Sequence, residues 1–172
     1  MNKQLIIKTI YLSFLFVLIG CQTTAKQSVC SKYPQQLGSV NDFESVLTKD
    51  QKAKLESHIE KYESLREVEF AIVTTNTFIP DSTLFDYSLQ LARCWGIGKS
   101  DHNKGILIAV SMKQRDVRIQ TGTGLTDLFT DEEAQKVVDN YLIPNCKKGL
   151  VYDGLSLSLT QIFQQLKPVR EH

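Results

Sequence analysis

Five consecutive apolar residues occupy positions 106–110. Because no polar residue interrupts them, a strand formed by this run would have no solvent-exposed face. Such a run is typical of a central strand that is covered on both faces. Residues 117–120, after a short polar turn, alternate apolar and polar side chains, which predicts a second strand paired with the first as a hairpin. The loops on either side, residues 96–104 and 122–131, carry glycines and carboxylates. Ligands of α/β sheets usually bind in such loops, so we expect the functional site there.

Helices and a further strand surround the predicted hairpin. Capping boxes at Thr48 and Thr130 predict two helix starts, and apolar residues at helical spacing follow each of them. A β-branched run at 67–75 predicts another strand. We expect four helices. The first covers residues 49–65, the second runs from Pro80-Asp81-Ser82, which ends the preceding extended segment, to Trp95, the third runs from 131 to near Pro144, and the fourth covers 152–166. This interleaving predicts an α/β fold, a three-layer α/β/α sandwich with a small central mixed sheet.

The N-terminus has the pattern of a signal peptide over residues 1–20. Lys3 and Lys8 precede an apolar stretch, 10–19, that is too short to span a bilayer. Its ending, Leu18-Ile19-Gly20-Cys21, resembles the lipobox of bacterial lipoproteins, which makes Cys21 the predicted lipidation site and the new N-terminus. An ordinary secretory signal or a short membrane anchor is the alternative. With Gln22 rather than aspartate next, the resemblance implies a lipid-anchored protein of the cell envelope, on the outer membrane facing the periplasm in a Gram-negative cell.

Residues 21–38 are polar after the lipidation site and predict a flexible linker, followed by a globular domain over residues 39–167. A partly ordered arm is the alternative, because Val29, Cys30 and Tyr33 could pack on the domain. Loss of Lys3 and Lys8 with the leader leaves 18 basic and 19 acidic residues. Without a basic patch to neutralise phosphates, the chain is not expected to bind nucleic acid.

Three cysteines remain after Cys21, and outside the cytoplasm thiols tend to pair. Cys30, Cys94 and Cys146 permit three different single bridges. We prefer the pair Cys94 and Cys146, because both lie inside the predicted domain while Cys30 lies in the predicted linker. No C-x-x-C motif is present, which argues against redox catalysis.

The glycine loops do not match the common nucleotide or calcium motifs. A P-loop ending at Gly98-Lys99-Ser100 would need a glycine where Arg93 stands, and a Rossmann fingerprint would need one where Asp101 stands. What remains is a set of hard oxygen donors, which suit Ca²⁺ or Mg²⁺. The alternative for each donor is a helix cap or a solvated turn. The set comprises Asp42, Asp101, Asn103, Asp127, Asp131 and Glu132.

Residues 39–166 contain a series of short motifs: Val40-x-Asp42, the strand Glu69 to Thr74, Trp95-Gly96-Ile97-Gly98, Asn103-x-Gly105-Ile106-Leu107-Ile108, Arg118-Ile119-x-Thr121-Gly122-x-Gly124-Leu125, Thr130-Asp131, Pro144 and Asp153-Gly154-Leu155. Their order and spacing resemble the TPM domain family. The resemblance implies an α/β/α sandwich on the outer side of a membrane, held there by a lipid, a signal anchor or a transmembrane helix. For some members it also implies divalent-cation binding, phosphatase activity or a role in maintaining membrane complexes.

By the same resemblance, the metal ligands correspond to Asp42, Asp101, Asn103 and Asp131. The chain departs from the family at residues 122–126, where Gly-Thr-Gly-Leu-Thr stands in place of the frequent Gly-Tyr-Gly-Leu-Glu. Cys146 stands where the family has an aromatic residue ahead of the last helix. Loss of one carboxylate lowers both the expected cation affinity and the ability to activate water.

Three functions follow from these observations. The preferred one is a monomeric, lipid-anchored binding or accessory module that docks a membrane-complex protein or peptide, with Ca²⁺ or Mg²⁺ shaping its loops. The alternative is a metal-assisted phosphatase acting on phosphomonoesters, in which Asp42, Asp101 and Asp131 hold the ion and Lys104 or Arg118 steadies the phosphate. A purely structural envelope protein is the third.

Overall fold

The computed structural model describes residues 29–64, 67–76, 82–99 and 102–166. The predicted signal peptide, the predicted lipidation site Cys21 and the predicted ligand Asp101 lie outside these residues. Contacts divide the chain into two compact units, one ending at Pro34 and one starting at Gln35. In the first unit, the N–H of Tyr33 donates to the carbonyl of Cys30 at 3.1 Å, so part of the predicted linker forms a hydrogen-bonded turn.

The second unit contains a four-stranded sheet in the order β1 (Val40–Asp42), β2 (Glu69–Thr74), β3 (Gly105–Ser111) and β4 (Asp116–Thr121). The first three strands are parallel, and β4 runs antiparallel to β3. The predicted hairpin and the predicted mixed sheet are therefore confirmed. The short first strand, β1, was not predicted.

In the part of the second unit that the structure describes, five α-helices, a 3₁₀ turn (Thr123–Leu125) and one π-helical turn accompany the sheet. Thr48 and Thr130 form the predicted capping boxes at the starts of α1 and α3, and Thr83 caps α2. The helices are α1 (Lys49–Glu63), α2 (Leu84–Trp95), α3 (Asp131–Val137), α4 (Ile143–Lys147) and α5 (Val151–Gln165), and the π-helical turn is Val138–Leu142.

The helices cover both faces of the sheet. Alternate strand residues such as Phe70, Ile72 and Ile108 pack with α1, α3 and α5 in one large core. Helix α2 contacts β3 and β4 and buries Leu84, Tyr87 and Leu91 against the other face. In the large core the ring of Tyr62 from α1 stacks on Phe163 from α5 at 3.9 Å, and Phe70 from β2 meets both edge-on. The three-layer sandwich predicted from the sequence is thus observed.

The third predicted helix does not end near Pro144. The chain passes through the π-helical turn, in which the N–H of Ile143 donates to the carbonyl of Val138, and continues as α4 with Pro144 in its first turn. Proline is tolerated there because the N–H groups of a first helical turn lack intrahelical partners. The predicted helix is therefore observed as α3 and the π-helical turn, and α4 was not predicted.

The preferred disulfide is wrong. Cys30 and Cys94 are disulfide-bonded, whereas Cys146 carries a free thiol. Cys94 lies on α2, on one face of the sheet, and Cys146 lies on α4, which packs in the large core on the opposite face. A disulfide requires Cα atoms within about 7 Å of each other, which two helices on opposite faces of a sheet do not provide.

Among the helices in the part of the chain that the structure describes, none combines the length and the apolar character that a membrane crossing requires.

Candidate functional site

The two glycine loops meet at the end of the sheet where β2 and β3 begin. The N–H of Gly122 donates to the carbonyl of Gly105 at 2.8 Å, and the N–H of Gly124 donates to the carbonyl of Asn103 at 3.2 Å. Asn103 has a positive φ of 62°, which turns the chain sharply before β3. We call this region, residues 96–99, 102–104 and 122–125, the glycine-loop end. The main chains of the two loops therefore contact each other at this end.

Close main-chain packing explains the glycine pattern at this end. A Cβ on Gly122 would lie closer than 3.0 Å to the carbonyl oxygen of Asn103. Gly98 has φ of 79°, and a Cβ there would lie closer than 3.0 Å to the main chain of Gly105. Side chains are excluded at both positions, so the two loops form a tightly packed unit built from backbone.

Carboxylates on β2 and in the segment before it also hold the glycine-loop end. Glu69 accepts the N–H of Gly98 at 2.7 Å. Glu67 accepts from the ammonium group of Lys104 at 3.3 Å. Lys104 was predicted to bind phosphate, and here it is tied to a neighbouring carboxylate. Glu69 was missed by sequence reasoning, although a carboxylate at the start of a strand next to a glycine loop is a recognisable anchor for loop N–H groups.

Asp42 lies at the opposite end of the sheet from Asn103. In the strand register, Asp42 of β1 is paired with Thr74, the last residue of β2. Gly105, the first residue of β3, is paired with Glu69, the first residue of β2. Five residue steps of strand separate the two levels by about 17 Å. A Ca²⁺ ion binds its ligands at about 2.3–2.6 Å, so Asp42 and Asn103 cannot share one ion. The prediction that Asp42 and Asn103 are ligands of the same ion is therefore wrong for Asp42.

The oxygens of Asp42 are occupied by structural hydrogen bonds. Its carboxylate accepts the N–H of Val46 at 3.1 Å, the N–H of Leu47 at 2.8 Å, and the hydroxyl of Thr74. These bonds fix the turn that leads from β1 into α1. Asp42 therefore has the capping role that was the alternative to metal ligation.

Glu44 closes the same end of the sheet. Its two carboxylate oxygens accept the N–H groups of Met112 at 2.9 Å and Lys113 at 3.2 Å, which orders the turn between β3 and β4. Both acidic residues at this end thus satisfy main-chain donors that would otherwise lack partners.

The acidic residues at the start of α3 are exposed and differ in their contacts. Glu132 pairs with Lys136 one turn later at 2.9 Å, and the ammonium group lowers the pKa of the Glu132 carboxyl. Asp127 lies on an exposed turn. Asp131 lines a cavity of about 510 Å³ together with Arg118 of β4. Of the predicted site residues, the structure therefore brings Asp131 and Arg118 together.

Arg118 lies near the carboxylate of Asp116, at 3.6 Å, and donates to the carbonyl of Val117 at 3.2 Å. Arg118 precedes Gly122 by four residues, and Gly122 lies opposite the first residue of β3. Arg118 is therefore about 13 Å along β4 from the glycine-loop end. Lys104 and Arg118 do not form one phosphate site. Among the residues that the structure describes, no group of three or more His, Cys, Asp or Glu side chains is placed to hold a metal ion.

A second cavity was not predicted. It has a volume of about 630 Å³ at the end of the sheet where β3 finishes, beside the turn into β4. Met112, Val117 and Ile143 form its apolar part, and Arg115 and Lys147 bring positive charge. The thiol of Cys146 also lines it, and burial raises the pKa of this thiol. No local sequence signal joins these residues, because they come from a β-turn and from α4.

The comparison with family models decides the identity of the fold. The TPM domain model matches residues 40–165, which is nearly the whole second unit. The chain belongs to the TPM domain family. Comparison with curated proteins finds no match.

Solved structures of similar domains agree with this assignment. The N-terminal domain of a protein from P. gingivalis, solved by NMR, is 33% identical with a TM-score of 0.67, covering 74% of this TPM-domain chain and 80% of that chain. The BA42 protein from the psychrophilic bacterium Bizionia argentinensis is 18% identical with a TM-score of 0.60, over 72% and 83% of the two chains. The N-terminal domain of the cg2496 protein from Corynebacterium glutamicum is 12% identical with a TM-score of 0.59, over 79% and 85%. The last two share the fold.

Proposed function

We propose that this TPM-domain protein is a lipid-anchored binding module that serves the maintenance of a membrane complex or of the cell envelope. Its lipid is carried by Cys21, and its domain faces the periplasm from the outer membrane of a Gram-negative cell. Its partner is a membrane-complex protein or a peptide. The domain acts by docking this partner and not by turning over a substrate.

The role of Asp42 is the observation that carries this proposal. The phosphatase alternative needs Asp42, Asp101 and Asp131 around one ion. Asp42 instead lies at the far end of the sheet, where its carboxylate accepts two N–H groups and one hydroxyl. A site without this carboxylate binds a cation more weakly and activates water less. The geometry thus supports binding over phosphoryl transfer.

A cation remains part of the proposal at the glycine-loop end. The four predicted ligands do not fit one ion, because Asp42 is about 17 Å away along the sheet. Asp101 and Asn103 are neighbours in one loop and supply the hard oxygen atoms that Ca²⁺ and Mg²⁺ prefer. Asp131 is the candidate third ligand. We propose that such an ion would stabilise the loop conformation and would not supply a nucleophile.

Calorimetry and a turnover assay on the full chain in detergent test this proposal. Titration with Ca²⁺ and with Mg²⁺ reports cation binding, and p-nitrophenyl phosphate reports phosphomonoester hydrolysis. We expect hydrolysis at the background rate with either ion. Turnover that Asp131→Asn abolishes and the neighbouring Asp127→Asn preserves would overturn the proposal in favour of the phosphatase.

The lipid anchor has its own test. Mass spectrometry of the native N-terminus should find a diacylglyceryl-modified and acylated Cys21, and the Cys21→Ser variant should leave the membrane fraction. An unmodified N-terminus at any other residue contradicts the anchor and leaves the binding function to be judged separately.

A further inference from the structure

Strand β4 is an edge of the sheet, and the direction of its main-chain groups follows from one hydrogen bond. Gly122 donates to Gly105 at 2.8 Å, which makes these opposed residues a hydrogen-bonded pair in the β3–β4 register. Such pairs alternate along an antiparallel ladder. Gln120 and Arg118 therefore direct their main-chain groups toward β3, while Ile119 and Thr121 direct theirs away from the sheet.

One end of this edge is closed by side chains. The N–H of Val117 donates to the carboxylate of Asp116 at 2.9 Å, and the carbonyl of Val117 accepts from Arg118 at 3.2 Å. Charged side chains that cover their own edge are a common protection against unwanted strand pairing. No such cover is found at Ile119 and Thr121, whose two N–H and two C=O groups have no partner among the residues described.

The uncovered part of the edge lies in a groove. The cavity of about 510 Å³ follows residues 118–121 of β4, with Phe85 of α2 on one side and α3 with the following turn on the other. The side chain of Phe85 is 50% exposed although it is large and apolar. An added strand lies about 4.8 Å from the edge strand and directs alternate side chains to the two faces. The groove thus offers main-chain partners at its floor and side-chain contacts on both walls.

We propose that β4 binds an extended peptide segment of the partner protein as a fifth strand of the sheet, beside Ile119 and Thr121. This inference rests on the proposed binding function and names the kind of partner that the module takes. Addition of a strand to an open sheet edge is a known mode of peptide recognition, in which main-chain bonds give affinity and side-chain pockets give specificity.

The walls of the groove define the chemistry of the peptide. Side chains directed to the α2 face meet the ring of Phe85 and the guanidinium of Arg118, which suits an apolar residue next to an acidic one. Side chains directed to the α3 face meet Ala134, Val138 and the carboxylate of Asp131, which suits an apolar residue next to a basic one. The expected segment is a strand-forming peptide with apolar residues and one charge of each sign.

Thr121→Pro is the decisive substitution. Proline removes the outward N–H of Thr121 and leaves the inward ladder bonds of Gln120 and Gly122 to β3 in place, a position where edge strands tolerate proline. The matched control is Thr121→Val, which keeps the N–H and removes only a buried hydroxyl that has no hydrogen-bond partner in the described structure.

The probe is a display library of random twelve-residue peptides, selected on the full chain in detergent micelles. We expect selected peptides with alternating apolar residues, at least a tenfold loss of affinity in Thr121→Pro, and less than a twofold change in Thr121→Val. Amide hydrogen exchange by NMR gives the position. Peptide binding should slow exchange at Ile119 and Thr121 at least tenfold, without change at Gln120, whose amide is already bonded to β3.

The other results decide against the inference. Peptides that protect the glycine-loop end or the cavity beside Cys146 overturn the β4 site but leave the binding function standing. Protection of Ile119 and Thr121 that grows with protein concentration in the absence of peptide identifies a second copy of the chain as the occupant and overturns the peptide. Exchange that is already slow at these two amides in the free chain, or a library without a selected peptide, also overturns it. Asp131-dependent phosphomonoester turnover is the separate result that would refute the proposed function itself.

Discussion

Replacement of Asp42 by alanine separates a structural carboxylate from a catalytic or metal-binding one. The substitution removes the acceptor for the N–H of Val46, the N–H of Leu47 and the hydroxyl of Thr74. Hydrogen bonds to a charged group contribute about 1.5–3 kcal/mol, and donors left without a partner lower stability further. Asp42 is half-buried, so water can reach part of the vacated turn. We therefore expect Asp42→Ala to lower the free energy of unfolding by about 3 kcal/mol.

Urea denaturation followed by far-UV circular dichroism measures this change. With a urea dependence of about 2 kcal/mol per molar, the midpoint should fall by roughly 1.5 M. Asp42→Asn keeps one oxygen for an N–H and should lose about half as much free energy. Asp127→Ala removes an exposed carboxylate that accepts no hydrogen bond within the described part of the chain, and it should change the free energy of unfolding by less than about 0.5 kcal/mol.

The same variants are titrated with Ca²⁺ and Mg²⁺. A structural role requires that the folded Asp42→Ala chain bind either cation as the unmodified chain does. If Asp42→Ala unfolded at the unmodified urea midpoint while the heat of cation binding disappeared, the carboxylate would be a ligand, and the capping role argued from its hydrogen bonds would be wrong.

Three further measurements test other parts of the fold. Gly122→Ala should lower the free energy of unfolding by about 1–3 kcal/mol in the same urea assay, because the added Cβ overlaps the carbonyl of Asn103. Gly38→Ala is the control: its Cβ would meet only the end of a flexible side chain, so the free energy of unfolding should change by less than about 0.5 kcal/mol. Burial raises the pKa of the Glu63 carboxyl above its ordinary 4.5, so the folded chain holds this proton more tightly than the unfolded chain and its stability falls as pH rises through the raised pKa. Glu63→Gln should remove this fall in stability above pH 4.5, as read by urea denaturation at a series of pH values. Burial also raises the pKa of the Cys146 thiol, so iodoacetamide at pH 7.5 should alkylate it more slowly in the folded chain than in urea, as read by mass spectrometry.

Local signals predicted the central part of the fold well. The apolar run became β3, the alternating run became β4, and the capping boxes at Thr48 and Thr130 start helices as expected. Each of these features depends on residues that are close in sequence, so no knowledge of distant contacts was needed. The hairpin also followed from a short polar turn between two adjacent strands.

The error in the candidate site has one origin, the undetected strand β1. It has only three residues, two of them polar, and it forms by pairing with β2 some thirty residues later. A residue that follows a parallel strand and a residue that precedes one lie at opposite ends of the sheet. Asp42 ends β1, and Asn103 precedes β3, so recognition of β1 would have separated them. Without it, all carboxylates near glycine loops were grouped at one rim.

The predictions of the disulfide and of the third helix were wrong for a related reason. Which face of the sheet a helix covers is decided by packing, and Cys94 and Cys146 lie on helices that cover opposite faces. Pro144 is a strong local signal for the end of a helix, but a π-helical turn places it at the start of a new helix instead. Both outcomes depend on tertiary context that a sequence pattern does not contain.

Several residues that give this chain its resemblance to TPM domains have a role in the fold. Gly98 and Gly122 let two loops pack backbone against backbone, and Asp42 caps the turn into α1. Residues that a fold requires can occur throughout a family whether or not its members catalyse the same reaction. Membership therefore establishes the architecture of this chain, and its function depends on particular surfaces of that architecture. The groove beside Ile119 combines motif and non-motif residues, because Arg118, Thr121 and Asp131 lie in the motif segments whereas Phe85 and Val138 lie outside them.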